Sequence, residues 1–138
     1  MTPLYTGTAT ATAGREGKVS TDDGALALSL AVPKGLGGPG GAGTNPEQLF
    51  AATYSACFGG ALRLVAGQKK IATGPVAITA RVTIGKTDKG AFGIAVELEG
   101  KMPELPREQA LALMEAAHQV CPYSNATRGN VEVKLSVA

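Results

Sequence analysis

Residues 44 to 67 read as one long helix whose apolar residues surround nearly its whole circumference. A helix that is apolar all round is a buried one, so this segment predicts the centre of the fold. Its start is marked locally. Thr44-Asn45-Pro46-Glu47 matches a capping box, with Thr44 as the cap and Glu47 three residues on. Pro46 suits the first turn, where its missing N–H is not needed. Gly59-Gly60 in the middle lowers helix propensity, and close packing against another backbone would explain that cost.

The flanking segments alternate. Residues 4–12 carry Leu4, Thr6, Thr8, Thr10 and Thr12 on one face and predict a strand. Residues 18–21 and 25–32 predict two more, joined by the turn Asp22-Asp23-Gly24. Residues 35–43 hold six glycines and Pro39, and predict a mobile loop. Residues 75–86 and 91–101 form a hairpin pattern. Residues 106–120 predict a second helix with Ala110, Leu111, Leu113, Met114 and Ala117 inward, stopped by Pro122. Residues 131–137 alternate again and are expected to close the sheet. The order βββ-α-ββ-α-β predicts an α+β fold in a single domain, residues 1–138.

Charged residues make up 17% of the chain, against roughly a quarter in ordinary domains. With 44% hydrophobic residues, that deficit points to extra buried surface, as between subunits. The thirteen basic residues are dispersed and the net charge is +2, which argues against a nucleic-acid partner. No apolar run of about eighteen residues is evident, so no membrane span is expected. Met1-Thr2-Pro3-Leu4-Tyr5-Thr6 has neither the basic segment nor the apolar core of a signal peptide. A cytoplasmic location is the expectation. There a permanent disulfide is disfavoured, and a cycling one is the more natural use of two cysteines.

Those cysteines, Cys57 and Cys121, are 64 positions apart, which is no metal-knuckle spacing. With one histidine in the chain, a Cys/His metal site lacks ligands. Cys57 lies in the apolar Leu49-Phe50-Ala51-Ala52-Thr53-Tyr54-Ser55-Ala56-Cys57-Phe58. It reads either as a small hydrophobe in a core helix or as a reactive thiol. Lying more than two turns past the helix start, it gains nothing from the helix dipole and needs a cation from elsewhere. Cys121 is expected at the negative end of its helix, which disfavours a thiolate. It suits the resolving role in a two-thiol redox centre, because a resolver has only to reach an electrophilic sulfenic acid.

Arg15, between glycines in Gly14-Arg15-Glu16-Gly17, reads as an exposed turn residue or as the partner of Glu47 in a bidentate pair. His118, three residues before Cys121, reads as a favourable charge at a helix end, with a Cys–His nucleophilic pair as the alternative. Gly35-Leu36-Gly37-Gly38-Pro39-Gly40 matches G-x-G-x-x-G literally. However, Pro39 sits inside it, the helix begins several residues later, and position 60 is Gly rather than an acid, which argues against dinucleotide binding.

Three segments carry a family likeness: Thr44-Asn45-Pro46-Glu47-Gln48-Leu49-Phe50-Ala51-Ala52, Ser55-Ala56-Cys57-Phe58, and Val120-Cys121-Pro122-Tyr123-Ser124-Asn125-Ala126-Thr127-Arg128-Gly129-Asn130. Together they resemble the organic hydroperoxide resistance (Ohr) branch of the OsmC/Ohr family, over essentially the whole chain. Gly59 stands where relatives often carry a bulkier residue. The resemblance implies an intertwined homodimer with active sites at the subunit interface, and a bacterial, cytoplasmic thiol peroxidase with no bound cofactor. It implies Cys57 as the peroxidatic and Cys121 as the resolving residue, Arg15 as the active-site arginine and Glu47 as the carboxylate that orients it. It also implies recycling by a lipoylated protein or dihydrolipoamide.

On this reading the apolar setting of Cys57 makes Arg15 necessary and favours greasy peroxides, with Leu36, Phe50 and Phe58 as pocket residues. Arg15 is expected to swing away once Cys57 loses its charge. Three rival readings remain: an OsmC-branch peroxidase of broader peroxide range, a non-catalytic ligand-binding dimer, and an acyl-transfer enzyme that needs His118.

Overall fold

A computed structural model describes every residue, Met1–Ala138. The long helix α1 spans Pro46–Gln68. Its cap is Asn45 rather than Thr44: the Asn45 carboxamide oxygen accepts the Gln48 backbone N–H at 2.9 Å, while the Thr44 hydroxyl bonds the Gln48 side chain. The cap therefore lies one residue later than expected, without the return bond of a capping box, and Glu47 is freed for another partner. At the other end Lys70 takes a left-handed φ of 54°. The Ile71 N–H bonds the Ala66 carbonyl and the Lys70 N–H bonds the Gly67 carbonyl, the paired bonds of a Schellman stop.

The residues gather into two compact units, Met1–Leu49 and Phe50–Ala138. The first holds an antiparallel three-stranded sheet of β1 (Ala9–Thr12), β2 (Lys18–Thr21) and β3 (Ala27–Ser29), with β2 in the middle. β2 has the predicted bounds, while β1 and β3 are shorter than their alternation predicts. The glycine-rich segment after β3 is pinned by backbone bonds, among them the Gly40 N–H to the Val32 carbonyl at 3.0 Å.

The second unit holds β4 (Ala77–Lys86), β5 (Phe92–Lys101) and β6 (Val133–Val137), with β5 central, antiparallel to β4 and parallel to β6. The strands thus form two sheets, not the one sheet that β6 was expected to close. Helix α2 covers Arg107–Val120. Pro122 does end it, but Pro122 also opens a further short helix, α3 (Pro122–Thr127), because proline fits the first turn of a new helix. The strand–helix order is otherwise as expected, and the class is α+β.

Tyr54, Phe58, Leu62 and Val65 of α1 meet Val96 and Leu98 of β5 and Leu113, Met114 and Ala117 of α2 in one cluster. Each of the large aliphatic side chains there stabilises the unit by about 1.5–3 kcal/mol through burial. Leu111, expected inward, is 37% exposed. In the single chain α1 is covered on one face only; Ala52, Ala56, Gly60 and Leu64 lie open on the other. A methyl group at Gly59 would meet only the Ile78 side chain at ordinary distance and one at Gly60 would meet open space, so no other backbone of this chain packs closely on either. By length and composition alone α1 is long and apolar enough to cross a membrane. Its covered face instead forms part of the core just described.

Candidate functional site

In the first unit, the loop after β1 carries Arg15. Ala13 and Gly14 both adopt left-handed φ, 55° and 53°, and lead into a 3-10 turn over Gly14–Glu16. A side chain at Gly17 would collide with the Thr12 carbonyl, so glycine there lets the loop double back. The loop presents the Arg15 guanidinium to Glu47. Nη1 donates to Oε2 at 2.9 Å and Nη2 to Oε1 at 2.7 Å, a two-pronged pair. The Glu47 side chain is only 14% exposed. Hydrogen bonding from Arg15 holds the Glu47 carboxyl below its usual range, against the opposing pull of burial. The same bond raises the Arg15 pKa further.

In the second unit, Cys57 on α1 faces Cys121 at the α2–α3 junction. The sulfurs are 3.7 Å apart, and both residues are free thiols. Cys57 is half-buried and Cys121 fully enclosed. Burial pushes the Cys57 thiol up, the neighbouring Cys121 adds to this, and the Tyr123 backbone N–H works the other way. Within this unit, then, Cys57 is not a ready thiolate. Cys121 ends α2 and also caps the start of α3, so the purely negative helix end expected around it is not what the structure has.

Phe50 stacks on Tyr123, with ring centroids 6.2 Å apart, and meets Tyr54 edge-on at 5.8 Å. Phe58 is fully buried in the core, and Leu36, in the first unit, is 37% exposed on a 3-10 turn. His118 does not bond a cysteine; its Nδ1 lies 2.8 Å from the Ser124 hydroxyl. This removes the geometric basis for a Cys–His pair. A groove of about 270 Å³ lined by Ser55, Ala56, Gly59, Arg63, Val76 and Ile78 includes neither cysteine in its wall. No group of three or more His, Cys, Asp or Glu side chains converges as metal ligands do.

Sequence reasoning missed two elements here. One is the Tyr123 N–H, visible in sequence only as the second residue of a proline-started helix. The other is the buried hydroxyl cluster of Tyr54, Ser124 and Thr127, which no local pattern announces.

Paired thiols and a paired arginine can support cysteine redox chemistry, and related chains have the same architecture. The family profile described as OsmC-like protein matches residues 38–136. The chain is 54% identical to the organic hydroperoxide resistance protein of Xanthomonas axonopodis pv. citri (strain 306), over 98% of this chain and 95% of the relative. It is similar to the crystal structure of an organic hydroperoxide resistance protein from Elizabethkingia anophelis with thiocyanate bound. That match has a TM-score of 0.93 and 55% identity, and covers 100% of this chain and 99% of that one. A counterpart from Vibrio cholerae O1 biovar eltor, with captopril bound in one of its active sites, has a TM-score of 0.91 and 50% identity. The match covers 99% of this chain and 94% of that one.

Proposed function

The chain belongs to the OsmC/Ohr family, and from that membership we propose that it is a hydroperoxide-detoxifying enzyme that works through its two cysteines. The observation that carries the cysteine mechanism is the facing of two free thiols at 3.7 Å in an apolar core. The names of the relatives support organic hydroperoxides as the substrate class.

Arg15, held by Glu47, supplies the cation that the half-buried Cys57 needs to ionise. The Cys57 thiolate attacks the distal oxygen of the hydroperoxide, the O–O bond breaks, and the alcohol leaves after taking up a proton. Cys57 is then a sulfenic acid. The Cys121 sulfur displaces its hydroxyl as water and closes a disulfide. An external dithiol, such as dihydrolipoamide or a lipoylated protein, restores both thiols by exchange and is itself oxidised. Leu36 and Phe50 offer apolar surface for an alkyl or fatty-acid chain, with Phe58 shaping the site from the core. The active unit is a homodimer that covers the open face of α1. The chain works as a single OsmC/Ohr-like domain in the bacterial cytoplasm.

The test mixes the reduced protein with one equivalent of cumene hydroperoxide, followed by thiol counting and intact mass. The expected result is loss of both thiols and of about 2 Da per chain, faster than with hydrogen peroxide. Equal rates with both peroxides would point to the broader OsmC-type range. Two thiols still free after excess peroxide would overturn the enzymatic reading in favour of a ligand-binding dimer.

A further inference from the structure

The core of the second unit contains two buried polar residues, Ser124 and Thr127, and both bond one hydroxyl, that of Tyr54. Tyr54 precedes Cys57 by three residues on α1. Ser124 follows Cys121 by three residues on α3. Tyr54 and Cys57, three apart, share a face of α1, and Cys121 stands immediately before the first turn of α3, which carries Ser124. Helix α1 therefore meets the head of α3 in two adjacent rungs: Cys57 against Cys121 at 3.7 Å, and Tyr54 against Ser124 at 3.0 Å.

The hydrogen-bond chain has a direction. Thr127 donates to the Ser124 carbonyl at 3.2 Å, since a carbonyl can only accept. The single Thr127 proton is then used, so Tyr54 must donate to Thr127. The single Tyr54 proton is used in turn, so Ser124 must donate to Tyr54. Ser124 then has no proton left for His118, whose Nδ1–H must donate to it. Only this order, from His118 to Ser124 to Tyr54 to Thr127, makes every bond at once. It assigns the imidazole proton to Nδ1.

We propose that this relay positions Cys121 for disulfide formation with Cys57. The inference rests on the peroxidase reading above. The step it serves is the condensation of the Cys57 sulfenic acid with the Cys121 thiol: the S–S bond forms, the S–O bond breaks, and the thiol proton leaves with the hydroxyl as water. A disulfide tolerates only a narrow range of Cβ separations, so the register of α3 against α1 matters. The apolar contacts around the thiols are non-directional and cannot set that register. A chain of directional bonds in a dry core can, because slippage would leave buried hydroxyls unpaired. Tyr54, Ser124, Thr127 and His118 are thus positioning residues; none of their side chains hydrogen-bonds a reacting sulfur.

The test compares wild type with Tyr54→Phe, which keeps the ring and deletes the hydroxyl. Two rates are read on the same full-length protein with cumene hydroperoxide: loss of the Cys57 thiol, and formation of the Cys57–Cys121 disulfide by intact mass with a sulfenic-acid trap. Cys57 oxidation is expected to stay near the wild-type rate. Disulfide formation should slow by roughly tenfold, the scale set by one buried hydrogen bond, with more trapped sulfenic acid and more sulfinic acid under excess peroxide. If Tyr54→Phe folds poorly, Thr127→Val, which removes the last hydroxyl of the relay, is expected to show the same split more weakly. Unchanged disulfide formation in both variants, or equal slowing of both steps, would overturn the positioning role. A wild type that forms no disulfide at all would instead overturn the peroxidase reading.

Discussion

Arg15 and Glu47 are 32 residues apart in sequence and close a two-pronged ion pair at 2.7 and 2.9 Å. Partial burial of Glu47 lifts this pair above the ordinary surface salt bridge, which is worth about 0–1 kcal/mol. Because the Glu47 carboxyl is held below its usual range, the pair is fully present above an ordinary carboxylate pKa and is lost only as pH falls through the depressed value.

Arg15→Ala is expected to slow alkylation of Cys57 at neutral pH by roughly tenfold or more, the factor carried by one unit of thiolate pKa. Glu47→Gln should do the same more weakly. Arg15→Lys should not rescue, since an ammonium cannot make both parallel bonds. Iodoacetamide rates measured against pH check this. Identical curves for wild type and Arg15→Ala would remove Arg15 from the mechanism.

Cys57→Ser is expected to abolish peroxide consumption. Cys121→Ser should consume about one equivalent and then stall, with a trappable sulfenic acid on Cys57. Turnover with a dithiol reductant distinguishes them: full multiple turnover by Cys121→Ser would refute the resolving role.

Burial holds the His118 pKa below its ordinary 6.5, and the Arg128 charge adds to the effect. A depressed histidine favours the folded state above the unfolded-state value, and that contribution is lost as pH falls below it. Thermal stability should therefore decline as pH drops below about 6.5, in part through His118. His118→Asn should flatten that part of the profile, as followed by circular dichroism melts. An unchanged slope would assign the decline to other groups.

The open face of α1 carries Ala52, Ala56, Gly60 and Leu64, with Leu64 57% exposed. If a second copy covers this face, Leu64→Glu should weaken the dimer, because the charge would be buried without a partner. Sedimentation equilibrium over a concentration series measures it. A wild type that is monomeric throughout would exclude the homodimer.

Much of this protein was legible without coordinates. The alternation of Val131, Val133, Leu135 and Val137 marks β6, although its first two residues lie outside the strand. The apolar residues from Leu49 onward mark α1, and the Cys121-Pro122-Tyr123-Ser124-Asn125 segment carries the family likeness. The possible Arg15–Glu47 pair was visible too, as two complementary charges. The cap was misread because Thr44 and Asn45 are both good capping residues, and backbone bonds from Thr44 to Ser29 and Ala31 decide between them. Leu111 was misread because helical spacing alone does not show where a neighbouring element ends.

By itself the sequence determined what depends on near neighbours: helix and strand period, the proline that ends one helix and starts another, and the residue types able to do thiol chemistry. Only the tertiary structure decided which distant side chains meet. It set Cys57 at 3.7 Å from Cys121, divided the strands into two sheets, and placed the Tyr54 hydroxyl between Ser124 and Thr127, 70 and 73 residues away. The physical reason is that period and capping are properties of a few consecutive residues. The pairing of buried thiols and hydroxyls is set instead by how whole helices pack, and apolar packing constrains their register only when directional bonds are added to it.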